Sequence, residues 1–151
     1  MASLTPEYDQ KLPVNTSTAY NIDDSTKIKV LVVDDDTSLL KLAEIYLENE
    51  DDRLVIETST SAADALHKLT GETFDVIVSD YLMPGMDGLE FLEQLRSKKN
   101  TVPFILFTGS GMEEVVNQAL NLGANRYIQK GNDPGSQYSI LARAIISEVE
   151  Q

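Results

Sequence analysis

Asp34, Asp35, Asp80, Thr108 and Lys130 are the residues of this chain whose types could act together on one substrate. Each stands where a short apolar run gives out. Val32-Val33 lead into Asp34-Asp35-Asp36, and Val76-Ile77-Val78-Ser79 lead into Asp80. Phe104 to Phe107 end at Thr108-Gly109, and Arg126 to Gln129 end at Lys130. Behind Asp80 comes Pro84-Gly85, the pair a type II turn asks for: proline fixes the first central φ and glycine accepts the positive second one. Asp87 with Glu90 then forms a capping-box pattern, so Gly88 opens a helix. The stretch from Phe74 to Gly88 thus sets one acid at a strand mouth, before a stiff loop and a helix start.

If those strand ends converge, three carboxylates share one crevice. Such groups repel, and desolvation penalises each further, so the cluster persists only with protons or a cation among them. Oxygen ligands without sulfur or imidazole favour Mg²⁺, which takes few protein ligands and keeps several waters. An ammonium, a hydroxyl, Mg²⁺ and a carboxylate facing one spot make a phosphoryl site. There the cation and ammonium neutralise the equatorial oxygens while the carboxylate attacks in line. Aspartate is a covalent acceptor in such chemistry, forming an acyl phosphate.

The elements that must bring these residues together alternate along the chain. Ile28 to Val33, Leu54 to Ile56, Val76 to Val78, Pro103 to Phe107 and Arg126 to Gln129 read as strands, the buried ones as near-continuous apolar runs. Between and after them run helical stripes: Leu39, Leu40, Leu42, Ala43, Tyr46 and Leu47; Ala62, Ala65, Leu66 and Leu69, stopped at Gly71; then Phe91, Leu92 and Leu95. Met112, Val115, Val116, Ala119 and Leu120, stopped near Gly123, mark the fourth helix. Asp133-Pro134 is an N-cap with proline at the first helical position, opening a fifth helix lined by Tyr138, Leu141, Ala142, Ile145 and Val149. Connections too long for hairpins imply right-handed crossovers and a parallel sheet. The expected fold is α/β, a flavodoxin-like doubly wound five-stranded sheet of order 2-1-3-4-5 with helices on both faces. Its switch point falls between strands one and three, where Asp34, Asp35 and Asp80 would meet.

Composition narrows the function. A net charge of −13 argues against sequence-independent binding to nucleic acid or to an anionic membrane. With no cysteine, disulfides and thiolate metal sites are excluded. No apolar run approaches the roughly 20 residues of a membrane span, and no signal-peptide pattern opens the chain, so a cytoplasmic protein is expected. Residues 1–27 lack periodicity and read as a flexible tail before a domain over residues 28–151.

The motifs Val32-Val33-Asp34-Asp35-Asp36, Ser79 to Gly88, Thr108-Gly109 and Tyr127-Ile128-Gln129-Lys130, in that order and spacing, resemble the response-regulator receiver domain of two-component signalling. The resemblance covers about Ile28 to Val149 and implies that Asp80 is the phosphoacceptor for a partner histidine kinase. It makes Asp34, Asp35, Asp80 and the backbone carbonyl of Leu82 the Mg²⁺ ligands. It sets Thr108 and Lys130 on the phosphoryl group and gives Tyr127, with Thr108, the switching role. A downstream protein would read the face of the fourth helix, fifth strand and fifth helix, the chain being a monomer or a weak phosphorylation-dependent dimer. Most receivers carry proline where this chain has Gly131, so a differently shaped, more mobile loop is expected there. By the resemblance, Leu82 and Ser110 stand at the variable positions that in this family flank the hydrolytic water; the Leu82 side chain offers it no hydrogen bond, so slow self-dephosphorylation is expected.

Each residue alone has a plainer explanation. Asp34-Asp35-Asp36 in isolation is a solvated turn capping a helix, and only convergence with Asp80 overrides that. Asp36 is expected to cap, Tyr127 to be partly buried, and His67 and Glu148 to face solvent. No output module follows the fifth helix, so a stand-alone receiver, or one cut from a larger sensor protein, is expected. The rival functions are a vestigial receiver acting only as a binding module, and a Mg²⁺-dependent phosphatase with an aspartate nucleophile. Haloacid-dehalogenase-like phosphatases place a second acid two residues after the nucleophile; Leu82 stands there, so the chain is not expected to be an enzyme acting on external substrates.

Overall fold

The computed structural model describes residues 26–109 and 111–151. The expected tail falls almost wholly on residues 1–25, outside the described residues, as does Ser110. Ten elements alternate: β1 (Ile28–Val33), α1 (Thr37–Glu50), β2 (Leu54–Ser59), α2 (Ala62–Gly71), β3 (Val76–Ser79), α3 (Gly88–Ser97), β4 (Phe104–Thr108), α4 (Glu113–Asn121), β5 (Arg126–Gln129) and α5 (Pro134–Val149). The strands form one parallel sheet in the order β2-β1-β3-β4-β5, as the patterning predicts.

Strand alternation sorts the core into two layers. Val30, Val32, Val76, Val78, Ile105 and Phe107 face α1 and α5, meeting Leu40, Leu47, Leu141 and Ile145. Leu31, Val33, Ile77, Phe104 and Leu106 face α2, α3 and α4, meeting Ala65, Phe91, Leu92, Leu95, Val115 and Ala119. β3 and β4 are buried at every position, which is why both read as unbroken apolar runs. Each fully buried aliphatic or phenyl side chain contributes about 1.5–3 kcal/mol of transfer free energy, so these layers hold the sheet.

Helix starts follow local chemistry. Asp36 caps α1, accepting from the N–H groups of Ser38 and Leu39 at 2.9 and 3.3 Å. Asp87 and Glu90 form the expected reciprocal box, at 2.8 and 2.9 Å. Asp133 sits at the N-cap of α5 ahead of Pro134, and its carboxylate accepts from the Ser136 hydroxyl at 2.6 Å.

Some positions depart from the helical stripes. Leu42, Leu120 and Val149 are exposed because the apolar stripe of each helix subtends more arc than one sheet face covers, and Met112 because it is the N-cap residue ahead of α4. Glu148 is not solvated: its side chain is 6% exposed and pairs with Arg126, tying the end of α5 to the start of β5. Strand β2 runs on to Ser59, past the apolar run, because its ladder with β1 continues to the Val33–Ser59 pair.

Candidate functional site

The carboxyl ends of β1, β3, β4 and β5 carry the site, and the sheet ladder pins each residue's backbone. Asp34 N–H donates to the Ser59 carbonyl at 3.1 Å, Asp80 N–H to Val33 at 2.9 Å, and Lys130 N–H to Thr108 at 2.9 Å. Alternation from the two core layers turns Asp34, Asp80 and Lys130 toward the α1 and α5 side, in register with Val32, Val78 and Ile128. The same rule turns Thr108 toward α4, in register with Leu106. Tyr127 pairs with Leu106 and is half-buried on that face, where burial pushes its phenol up from its ordinary value.

Side chains from elements far apart in sequence then meet. Lys130 Nζ lies 3.0 Å from Asp34 Oδ2 and 3.7 Å from Asp80 Oδ2. Asp34, Asp35 and Asp80 each offer a carboxylate oxygen within 4.8 Å of the other two. Asp34 is buried, Asp80 half-buried and Asp35 exposed, so the cluster opens to solvent on one side. Burial raises the Asp34 carboxyl above its ordinary value, against the lowering by the Asp36 N–H and by Lys130. One ammonium does not balance three carboxylates. That excess of hard oxygen donors, converging on one point and open to water, fits a divalent cation of the Mg²⁺ type. Leu82, in the loop above, is 66% exposed.

Backbone geometry holds the loop that follows Asp80. Tyr81 N–H donates to Asp80 Oδ1 at 2.7 Å, and Gly88 N–H donates to the Tyr81 carbonyl at 2.8 Å. Gly85 has φ of +80°, the positive value the Pro-Gly turn requires. Gly88 is needed for a reason the sequence did not show: a Cβ there would stand 2.2 Å from the Asp80 carbonyl oxygen. Its place at the first turn of α3, where almost any other residue makes a better helix, was the available signal. Phe107 was also missed as a site residue. Its ring centroid lies 5.6 Å from Lys130 Nζ, and nothing in an unbroken apolar run distinguishes it from its neighbours.

The loop after Lys130 carries a bond that proline could not make. Gly131 N–H donates to Gln137 Oε1 at 2.7 Å, joining the loop to the first turns of α5. His67 is exposed on α2, as expected.

A family model for the response regulator receiver domain matches residues 30–141. The chain belongs to that family. This receiver is 35% identical over 130 residues to the transcriptional regulatory protein ResD of Bacillus subtilis, covering 86% of this chain and 52% of ResD. The chain therefore spans about half the length of that relative. Among solved structures it resembles the chemotaxis response regulator CheY4 of Vibrio cholerae, with TM-score 0.69 and 30% identity over 78% of this chain and 98% of that one. It also resembles the response regulator TrrA of Thermotoga maritima in complex with Mg²⁺ and BeF, with TM-score 0.69 and 26% identity over 80% and 98% of the chains. Receivers are switching modules of two-component systems and in general not classical enzymes. None of the described helices is long and apolar enough to cross a membrane.

Proposed function

We propose that this receiver, spanning residues 28–151, takes a phosphoryl group onto Asp80 from the phosphohistidine of a partner kinase. One observation carries the reading: Asp34, Asp35 and Asp80 crowd within 4.8 Å of one another while a single lysine bridges two of them. In the transfer, an Asp80 carboxylate oxygen attacks phosphorus and the P–O bond forms as the P–N bond breaks. The electron pair of the broken bond goes to the imidazole nitrogen. Lys130 Nζ, already 3.7 Å from Asp80 Oδ2, offers its protons to the phosphoryl oxygens, and the Tyr81 N–H holds Asp80 Oδ1 in place. Asp34, Asp35, Asp80 and the Leu82 carbonyl would hold Mg²⁺, which when bound offsets the negative charge gathering on phosphoryl and carboxylates.

Thr108 is drawn toward the new acceptor oxygens, and Tyr127, on the same sheet face, turns inward as Thr108 moves. The outer surface of α4, β5 and α5 is then read by a downstream protein; exposed Met112, Leu120 and Ile140 supply apolar contacts there. The self-catalysed reaction ends when water attacks phosphorus and the P–O bond to Asp80 breaks, restoring the carboxylate and releasing phosphate. Leu82 gives that water no hydrogen bond, so the modified form is long-lived. Leu82→Asn is expected to shorten its half-life by about tenfold, or about 1.4 kcal/mol of barrier; an equal or longer half-life in the variant contradicts the role given to Leu82.

Incubation with acetyl phosphate and Mg²⁺, followed by intact-mass measurement, tests the whole reading. One adduct on the parent and none on Asp80→Asn supports it. No adduct on the parent supports a vestigial module, and continuous release of phosphate from added esters supports a phosphatase.

A further inference from the structure

A groove of about 400 Å³ runs between α3 and α4, beside the site just described. Its apolar part is Tyr81, Leu89 and Leu122; Leu89 is buried and the other two are half-buried against the core below. Asp87, Glu90 and Glu93 line it from the α3 side, and no basic residue lines it at all. The α4 side adds the amides of Gln118 and Asn121. Asp87 and Glu90 bond each other's backbone N–H, which leaves both charges without a counter-charge in that box.

The acids follow one another at one-turn intervals and span about 9 Å along the helix. They are too spread to hold one ion: among the described residues, the carboxylates close enough for that are Asp34, Asp35 and Asp80. Separate positive charges carried on one chain suit that spacing. An apolar trough between two helices, edged on one side by acids, is the form in which helical peptide ligands are bound.

We propose that the α3–α4 groove docks a basic segment of a partner protein. That segment seats apolar side chains on Tyr81, Leu89 and Leu122 and sets Lys or Arg against Asp87, Glu90 and Glu93. The apolar contact supplies most of the affinity, and the charges supply orientation and rate of encounter. The backbone N–H of Tyr81 also joins the groove to Asp80, donating to Oδ1 at 2.7 Å. An occupant that holds Tyr81 therefore biases Asp80, and a phosphoryl group on Asp80 biases the occupant by the same factor. This coupling rests on Asp80 being the acceptor; the docking does not.

The test is an NMR titration of the ¹⁵N-labelled full chain, in physiological salt, with a short amphipathic leucine–lysine peptide. Shift changes are expected to cluster at Tyr81, Leu89, Glu93, Gln118 and Leu122. Glu93→Lys is expected to weaken binding at least about tenfold, and Glu44→Lys, an equal charge change on the exposed side of α1, by less than about twofold. Both positions are exposed, and the variants' own spectra report whether they fold. Changes spread over the whole acidic surface, or equal weakening by the two variants, would overturn the proposal. Saturating Mg²⁺ and beryllofluoride are expected to change the peptide's affinity at least about threefold. An unchanged affinity overturns the coupling, provided Asp80 labels with acetyl phosphate; failure of that labelling reports instead that Asp80 is not the acceptor.

Discussion

Lys29 and Lys130 stand at opposite ends of the sheet with the same kinds of neighbours. Lys29, near the start of β1, bonds Glu72, lies 3.8 Å from Glu57 and has the Phe74 ring centroid 4.9 Å away. Lys130, past the end of β5, is 3.0 Å from Asp34 and 3.7 Å from Asp80, with the Phe107 centroid at 5.6 Å. What differs is water. The side chains of Lys29 and Glu72 are 36% and 34% exposed; those of Lys130, Asp34 and Asp80 are 18%, 8% and 14% exposed. At the open end the lysine's bond dominates and lowers the Glu72 carboxyl below its ordinary value. At the more buried end burial dominates and raises Asp34 above its own. The same parts make a solvated latch at one end and, at the other, a pocket short of positive charge.

The glycines near each end offer the largest contrast. Gly88→Ala would drive a methyl into the Asp80 carbonyl, and is expected to cost about 3 kcal/mol and to slow labelling of Asp80. Gly71, closing α2 beside Glu72, has open space where its Cβ would stand, so Gly71→Ala is expected to be neutral or to stabilise by up to about 1 kcal/mol. Urea unfolding of the two variants measures this; equal losses would break the contrast. The lysines come next. Lys130→Met strands Asp34 and Asp80 without their cation and is expected to cost about 2 kcal/mol in metal-free buffer. Lys29→Met, between screened partners, is expected to lower the unfolding midpoint only slightly.

The smallest effect is in pH dependence. For Asp34 the folded chain holds a proton at pH values where the unfolded chain has released it. Its stabilising contribution is complete below 3.8 and is lost as pH rises through the higher folded value. Asp34→Asn should therefore be more stable than the parent at neutral pH, the gain vanishing in acid. Glu72 is the reverse. Its lowered folded value stabilises above 4.5, and that contribution is lost as pH falls through the folded value. Glu72→Gln should be less stable at neutral pH, the deficit vanishing in acid. Thermal unfolding of both variants across pH checks the signs, and two slopes of the same sign would contradict the role of burial.

Most of this architecture was legible because it rests on local rules. Near-continuous apolar runs and stripes at helical period gave ten elements and their order, and turn and capping residues gave the loop from Asp80 to Gly88. Convergence followed from topology, since a switch point between β1 and β3 forces Asp34 and Asp80 together. What was not legible depends on how elements lie against one another in space. That Gly88 touches the Asp80 carbonyl, that Phe107 underlies Lys130, and that Glu148 closes on Arg126 are contacts between residues with no shared periodicity. Leu42, Leu120 and Val149 were misread as core because a stripe shows which side of a helix is apolar, not how far the sheet beneath extends, and Met112 because it caps α4 instead of lying in it.

Mn²⁺ as a paramagnetic stand-in for Mg²⁺ tests the central claim, that burial makes only the carboxyl end of the sheet a cation site. Titrated into the ¹⁵N-labelled chain, it is expected to broaden the amides around Asp34, Asp35, Asp80, Tyr81 and Lys130 first, while those of Lys29, Glu57, Glu72 and Asp75 stay sharp. Equal broadening at both ends, or first broadening around Glu57 and Glu72, would contradict it.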